Sequence, residues 1–251
     1  MIVFPNAKIN IGLHIVSKRT DGYHNLETVF FPVKITDALE MVESNDFSFS
    51  ASGVALDGNA EDNLVVKAWR LLKKDFELSP VQFHLHKAIP VGAGLGGGSS
   101  DAAFALKMIN EFFDLQLSND RLRAYARQLG ADCPFFIDNL PALATGIGDQ
   151  LQTLEIDLSQ YRIVILMPQC SVSTPEAYRK VQPSKPLFDL RKLEALPVAQ
   201  WKDSVINGFE KSVFPQFPEI EKCKDFLYQQ GALFASMSGS GAAVFGIFRH
   251  L

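Results

Sequence analysis

Residues 90–103 read Pro-Val-Gly-Ala-Gly-Leu-Gly-Gly-Gly-Ser-Ser-Asp-Ala-Ala, and no other segment constrains this chain as strongly. Five glycines (Gly92, Gly94, Gly96, Gly97 and Gly98) fall within seven positions, followed by Ser99 and Ser100. Apolar side chains at 102, 105, 106, 109, 112 and 113 then repeat at the spacing of one helix face, which predicts an amphipathic helix over 102–113. Glycine reaches positive φ and lets a ligand approach the main chain. Its freed N–H groups, beside the positive end of a helix dipole, make a cradle for anionic oxygen, and phosphate is the usual occupant.

Spacing separates the phosphate-binding classes. A Walker A loop carries Lys and then Ser or Thr after its last glycine, and Gly98 is followed by Ser99. Gly92 to Gly97 does match Gly-x-Gly-x-x-Gly, but a dinucleotide fold needs a strand ending in an acidic residue about 20 positions on. That region, around Glu111 and Asp114, continues the helical pattern. Neither a His-Arg-Asp nor an Asp-Phe-Gly motif of protein kinases occurs. The loop belongs to another phosphate-binding class.

The 251 residues suffice for one large domain or two modest ones, and 47% apolar with 21% charged residues describes a globular chain. A net charge of −4 supplies no basic field for nucleic acid, so an anionic ligand must be held by a local pocket. The clearest apolar run, Ile163–Met167, is far short of the roughly 18 residues of a membrane span. Met1–Asn6 lacks the basic and apolar regions of a signal peptide. Cys133, Cys170 and Cys223 match neither a disulfide framework nor a metal motif. The expected setting is a reducing cytoplasm, with no nucleic-acid or membrane partner.

Alternation over 2–16 (Ile9, Ile11, Leu13, Ile15) predicts a half-buried strand, followed by a turn at Thr20-Asp21-Gly22. Further strands are expected at 26–33, 38–42, 47–51 and 81–86. A helix is expected over 62–76 with Asp62 as N-cap, and another over 119–129 between Ser118 and Gly130. The second half predicts a strand at 162–168, a proline-rich loop over 183–197, helices near 201–209 and 219–230, and strands at 234–238 and 242–248. This order reads as α+β, with a boundary near 150–158 that divides the chain into 1–154 and 155–251.

Three smaller constellations each have a plain structural explanation beside a chemical one. Ser236 to Ala242 is a hairpin turn, or a second grip facing the glycine loop. Asp132, between Gly130 and Pro134, is a helix N-cap or a rigidly placed carboxylate, and it can be both. Lys8 and Asn10 point to one face of their strand, opposite Ile9 and Ile11, so Lys8 is either solvated or aimed into a site. His84 and His86 read as solvated strand residues rather than a metal pair, and His14 and His250 carry no signal.

Taken together, Pro5–Asn10, the loop 90–103, Gly130–Pro134 and Ser238–Gly241 resemble the motif set of the GHMP kinases. The resemblance is strongest to the branch acting on 4-diphosphocytidyl-2-C-methyl-D-erythritol, through Lys18–His24, Glu61–Leu64, the expanded Gly-Leu-Gly-Gly-Gly-Ser-Ser loop and Ala144–Asp149. It spans residues 5 to 245 in order and is weakest over 180–230. Family members usually continue some tens of residues past the last strand, whereas this sequence ends at Leu251.

The resemblance implies a two-lobed fold, with an N-terminal domain like the second domain of ribosomal protein S5 and a ferredoxin-like C-terminal domain. It implies ATP and Mg²⁺, and transfer of phosphate to the 2-hydroxyl of an acceptor that carries a cytidine diphosphate moiety. Asp132 is then the group that accepts or orients the hydroxyl proton, and Lys8 beside it keeps Asp132 ionised and stabilises developing charge. The nucleotide falls to Asn63, Lys87, Pro90, Gly92, Gly94, Leu95, Gly96, Gly97, Gly98, Ser99 and Ser100, with Ser100 also toward Mg²⁺. The acceptor falls to Asn10, Tyr23, His24, Thr174 and Tyr178, with the aromatic groups on the faces and edge of cytosine. Two rival readings are a superfamily kinase for homoserine, mevalonate or a sugar, and a silent homologue that binds a ligand and regulates a partner. The aromatic residues weigh against the first, and retention of both Lys8 and Asp132 against the second.

Overall fold

The computed structural model describes residues 1–56 and 58–250. In chain order the elements are β1 (Ile2–Val3), β2 (Asn6–Lys18), β3 (His24–Thr36), β4 (Ala38–Glu43), β5 (Ser48–Gly53), α1 (Leu64–Asp75), β6 (Val81–Lys87), α2 (Gly97–Phe112), α3 (Asn119–Leu129) and α4 (Phe135–Asp138). Then follow β7 (Ala142–Thr145), β8 (Gln150–Thr153), β9 (Tyr161–Leu166), α5 (Thr174–Arg179), α6 (Glu210–Val213), α7 (Pro218–Gln229), β10 (Phe234–Met237) and β11 (Val244–Arg249). They form two compact units, one of Met1–Ala7, Lys34–Val91 and Gly96–Asn139, the other of Lys8–Val33, Gly92–Leu95 and Leu140–Leu251. The expected boundary after residue 154 falls inside the second unit.

The first unit is built on a sheet of order β1-β4-β6-β5. β5 and β6 pair in parallel, which requires a crossover, and α1 supplies it. Period-two alternation buries Val81, Phe83 and Leu85 of β6 with Leu39 and Met41 of β4. Trp69 of α1 meets Phe83 edge-on at 6.4 Å, joining helix to sheet. On the other face His84 bonds Ser50 and Ser52 at 2.8 and 3.0 Å, and His86 bonds Ser52 at 3.0 Å, so both histidines are engaged by β5.

The second unit contains the sheets β2-β3-β7-β8 and β10-β11-β9. One apolar cluster joins Leu13 and Ile15 of β2 with Ala177, Phe209, Val213, Ile220, Leu227, Met237 and Val244. β2 is buried on both faces rather than one, because Lys8, Asn10 and His14 are as enclosed as the apolar residues between them.

Several local expectations are corrected. α1 is capped by Asn63, whose Oδ1 accepts from Val65 N–H at 2.9 Å, while Asp62 lies in the preceding 3₁₀ turn. α2 begins at Gly97, five residues earlier than the apolar periodicity indicates, because glycine and serine carry no periodic signal. Pro134, not Asp132, holds the N-cap position of α4. The region read as a helix near 201–209 contains a 3₁₀ turn over Val198–Asp203, and the charge-rich stretch read as a boundary contains β8.

Candidate active site

In the first unit, β6 leads at Lys87 into the glycine segment, and α2 leads out of it. Gly96 caps α2 at φ 71°, a conformation that glycine adopts without strain. The first N–H turned back into the helix belongs to Ser100, which donates to the Gly96 carbonyl at 2.9 Å. The N–H groups of Gly97, Gly98 and Ser99 therefore have no intrahelical acceptor, at the positive end of a 16-residue helix. Free donors at a helix terminus are the geometry that an anion cradle requires.

Behind it lies a buried charge cluster. The Lys87 ammonium bonds Asp37 and also Asp101, the latter at 2.7 Å, and all three residues are almost fully enclosed. The other oxygen of Asp37 accepts from Ala88 and Ile89 N–H at 2.6 and 2.8 Å. Burial pushes Asp101 up to about 7 against the opposing pull of Lys87, and its Oδ1 has no hydrogen-bond partner. The Ser100 hydroxyl is likewise buried and unpartnered.

Asp132 is half-buried in the turn between α3 and α4, where its carbonyl accepts from Phe135 N–H at 3.2 Å. Its neighbour Cys133 is fully buried, with Ser99 of the first turn of α2 among the groups that act on its thiol. Burial pushes that thiol up to about 12, which removes it as a nucleophile.

In the second unit Lys8 is 3% exposed, so the solvated alternative is excluded. Its ammonium donates to Asn10 Oδ1 at 2.6 Å and to the Gly94 carbonyl at 3.1 Å, and lies 4.9 Å from the Phe30 ring centroid. Asn10 Nδ2 donates to Thr28 Oγ1 at 2.9 Å, and that hydroxyl donates to the Gly12 carbonyl at 2.6 Å. The turn after β10 closes on the same loop. Ser238 Oγ donates to the Gly94 carbonyl at 2.9 Å, and Ala243 N–H to the Ala93 carbonyl at 3.1 Å. The two small-residue turns singled out in the sequence thus touch. Asn207, which no motif flagged, holds the second one by donating to the Met237 and Gly239 carbonyls, both at 2.8 Å.

The candidate acceptor residues are brought together in part. His24, at the start of β3, stacks on Tyr178 of α5 with ring centroids 4.8 Å apart, and Tyr178 meets Phe209 edge-on at 4.8 Å. Tyr23 stands 63% exposed beside them in sequence, and Thr174 is exposed at the start of α5. A base held between two rings needs them about 7 Å apart, two contact distances, so His24 and Tyr178 occupy each other's faces here.

A family model described as "GHMP kinases N terminal domain" matches residues 63–146, and one described as "GHMP kinases C terminal" matches 189–251. The chain belongs to the GHMP kinases. The first match includes Asn63, Lys87, the glycine loop and Asp132, and the second includes the Ser238–Gly241 turn. Lys8, Asn10, Tyr23, His24, Thr174 and Tyr178 lie outside both, and full-length relatives cover them.

Among these relatives, a protein of Parabacteroides distasonis named 4-diphosphocytidyl-2-C-methyl-D-erythritol kinase is 53% identical over 99% of this chain and 92% of its own. One of Porphyromonas gingivalis with the same name is 45% identical with the same coverages. The crystal structure of a 4-(cytidine 5'-diphospho)-2C-methyl-D-erythritol kinase superposes with a TM-score of 0.86 at 32% identity, covering 98% of this chain and 90% of that one. A homoserine kinase from Cytophaga hutchinsonii, at 17% identity and a TM-score of 0.68 over 97% and 85%, shares the fold.

Proposed function

We propose that this GHMP kinase transfers the γ-phosphoryl group of ATP to the 2-hydroxyl of 4-diphosphocytidyl-2-C-methyl-D-erythritol, a cytoplasmic step in making isoprenoid precursors. The observation that carries the reading is 53% identity across 99% of the chain to a relative of that name. We assign the ATP-binding role to residues 1–154 and the remainder of the kinase fold to 155–251.

Phosphoryl transfer asks a protein for position and charge more than for covalent chemistry. The N–H groups at the start of α2 hold the phosphates, with Gly92, Gly94 and Leu95 shaping the approach and Asn63 and Pro90 bordering the nucleotide, while Lys87, whose enclosed ammonium bonds Asp37 and Asp101, supports the loop from beneath. Asp132 accepts or orients the acceptor hydroxyl proton, and Lys8 offsets the charge that develops as the new O–P bond forms. Tyr23, His24 and Tyr178 take the cytosine, and Asn10 and Thr174 face the methylerythritol.

Mg²⁺ would come with the donor, where it would supply neutralisation of phosphate charge. Among the described residues no group of three His, Cys, Asp or Glu side chains could hold a resident metal, which suits a hard cation carried mainly by phosphate oxygens and water. The unpartnered Ser100 hydroxyl is the protein oxygen we assign to it.

The test is ADP release with Mg²⁺ and ATP against 4-diphosphocytidyl-2-C-methyl-D-erythritol, the same compound without its cytidylyl group, homoserine, mevalonate and no acceptor. Turnover confined to the first compound supports the reading, and turnover with another acceptor overturns the assignment of the three aromatic residues.

A further inference from the structure

The segment 90–96 joins a strand to a helix, and both of its ends meet a single buried ammonium. On the entry side, Lys87 is the last residue of β6, and Asp37 bonds its side chain and the next two backbone N–H groups, Ala88 and Ile89. On the exit side, Asp101 in the opening turns of α2 accepts from Lys87 Nζ at 2.7 Å. The ammonium is so close beneath the helix that a Cβ on Gly97 would lie 3.2 Å from it and 2.8 Å from Ile89 Cγ2. With Lys87 and Asp37 at 3% and 1% exposure, this cluster is closed to a ligand.

A catalytic hydroxyl or phosphate contact is therefore not what these carboxylates provide. What they do is remove freedom from the loop. A flexible connection of seven residues must be ordered when it wraps phosphate, and that ordering weakens binding unless the ends are fixed beforehand. We infer that Asp37 and Asp101 are positioning residues of the phosphate loop, acting through the Lys87 ammonium to hold both of its ends before the nucleotide arrives. The inference rests on the proposed reading of this loop as the ATP-phosphate site.

The experiment measures ATP binding by calorimetry on the full-length protein, with steady-state kinetics and amide hydrogen exchange alongside. Asp101→Leu is expected to weaken ATP binding and raise the KM for ATP about ten-fold, with the acceptor KM unchanged and faster exchange over 88–97. Asp101→Asn, which keeps an oxygen for the ammonium, is expected to recover most of that loss. An Asp101→Leu protein that melts lower yet binds ATP like the wild type overturns the inference, because the cluster then serves stability alone.

Should Asp101→Leu fail to fold, the combined variant Asp37→Asn, Lys87→Met, Asp101→Leu decides, since it leaves no buried charge unpaired. Weaker ATP binding with faster exchange at both loop ends supports the inference. Wild-type affinity, or unchanged exchange, overturns it. The unmodified protein separates this from the functional reading. ATP binding without turnover of the cytidylyl acceptor removes that acceptor and leaves the inference standing, whereas no ATP binding removes the phosphate loop and the inference with it.

Discussion

The Ser238 hydroxyl donates to the Gly94 carbonyl at 2.9 Å, while the Ser238 carbonyl lies 2.1 Å from where a Cβ on Gly94 would be. The residue that braces the glycine loop through its hydroxyl is thus also the one whose carbonyl forbids a side chain there. Gly94 has φ +76° in addition, so strain and collision act together.

Gly94→Ala is therefore expected to lower kcat/KM for ATP by more than ten-fold and to lower the melting temperature, since backbone cannot retreat as a flexible side chain can. Gly92→Ala is the control. Its φ is +68° with nothing within 4 Å of the added methyl, so only the left-handed strain of about 1–2 kcal/mol applies. Equal losses in the two variants would show that the Ser238 contact is irrelevant to the loop.

Asp132→Asn keeps the size and the turn but gives up the proton acceptor. We predict a loss of turnover on the order of 10²–10⁴-fold with ATP affinity unchanged, read by single-turnover kinetics and calorimetry. Near-normal turnover removes Asp132 from the mechanism. A matched loss of ATP binding would instead make its turn a structural support for α2.

What could be read from the sequence follows from how far each determinant reaches along the chain. Val81, Phe83 and Leu85 alternate with Gln82, His84 and His86, and the strand is buried as that pattern requires. The start of α2 was hidden because glycine is a poor helix former. Position 97 takes glycine because Ile89 and Lys87 leave no room for a side chain, a fact contained in no local window. Taken alone, Lys8 reads first as a solvated strand residue, because its enclosing partners Phe30 and Gly94 are remote in sequence. Asn207, Asp37 and Asp101 act through bonds to main chain or ammonium, and an isolated Asn or Asp carries no spacing that could reveal it. The 3₁₀ turns over Leu190–Glu194 and Val198–Asp203 similarly lack a periodic signature.

Tyr178→Ala is expected to raise the acceptor KM about ten-fold, equivalent to the roughly 1.4 kcal/mol of one aromatic stacking contact, without altering the KM for ATP. The direct stack of Tyr178 on His24 sharpens the expectation, since a base entering between the rings must first part them. His24→Ala removes that closed pair while keeping the Tyr178 ring for the base. It should therefore cost less than Tyr178→Ala. Equal effects of Tyr178→Ala on both substrates would take the residue out of the acceptor site.

His14 gives a pH dependence that concerns stability alone. It lies 5% exposed on β2, with Nε2 unpartnered and a hydrogen bond to the Phe188 main chain. Burial holds its pKa below the ordinary 6.5, against the pull of Glu27 and of the Phe188 contact, so the ring is neutral in the fold. The unfolded chain then binds the proton more readily than the folded one. Stability from this group is present above about pH 6.5 and is lost as pH falls from there through the lower folded value. His14→Asn keeps a short amide donor for Phe188 and cannot titrate. Urea unfolding at a series of pH values between 8 and 5 is expected to show a steeper loss for the wild type than for His14→Asn. Parallel curves would mean that the ring takes up its proton inside the fold without penalty, and that its neutrality is not what keeps β2 buried on both faces.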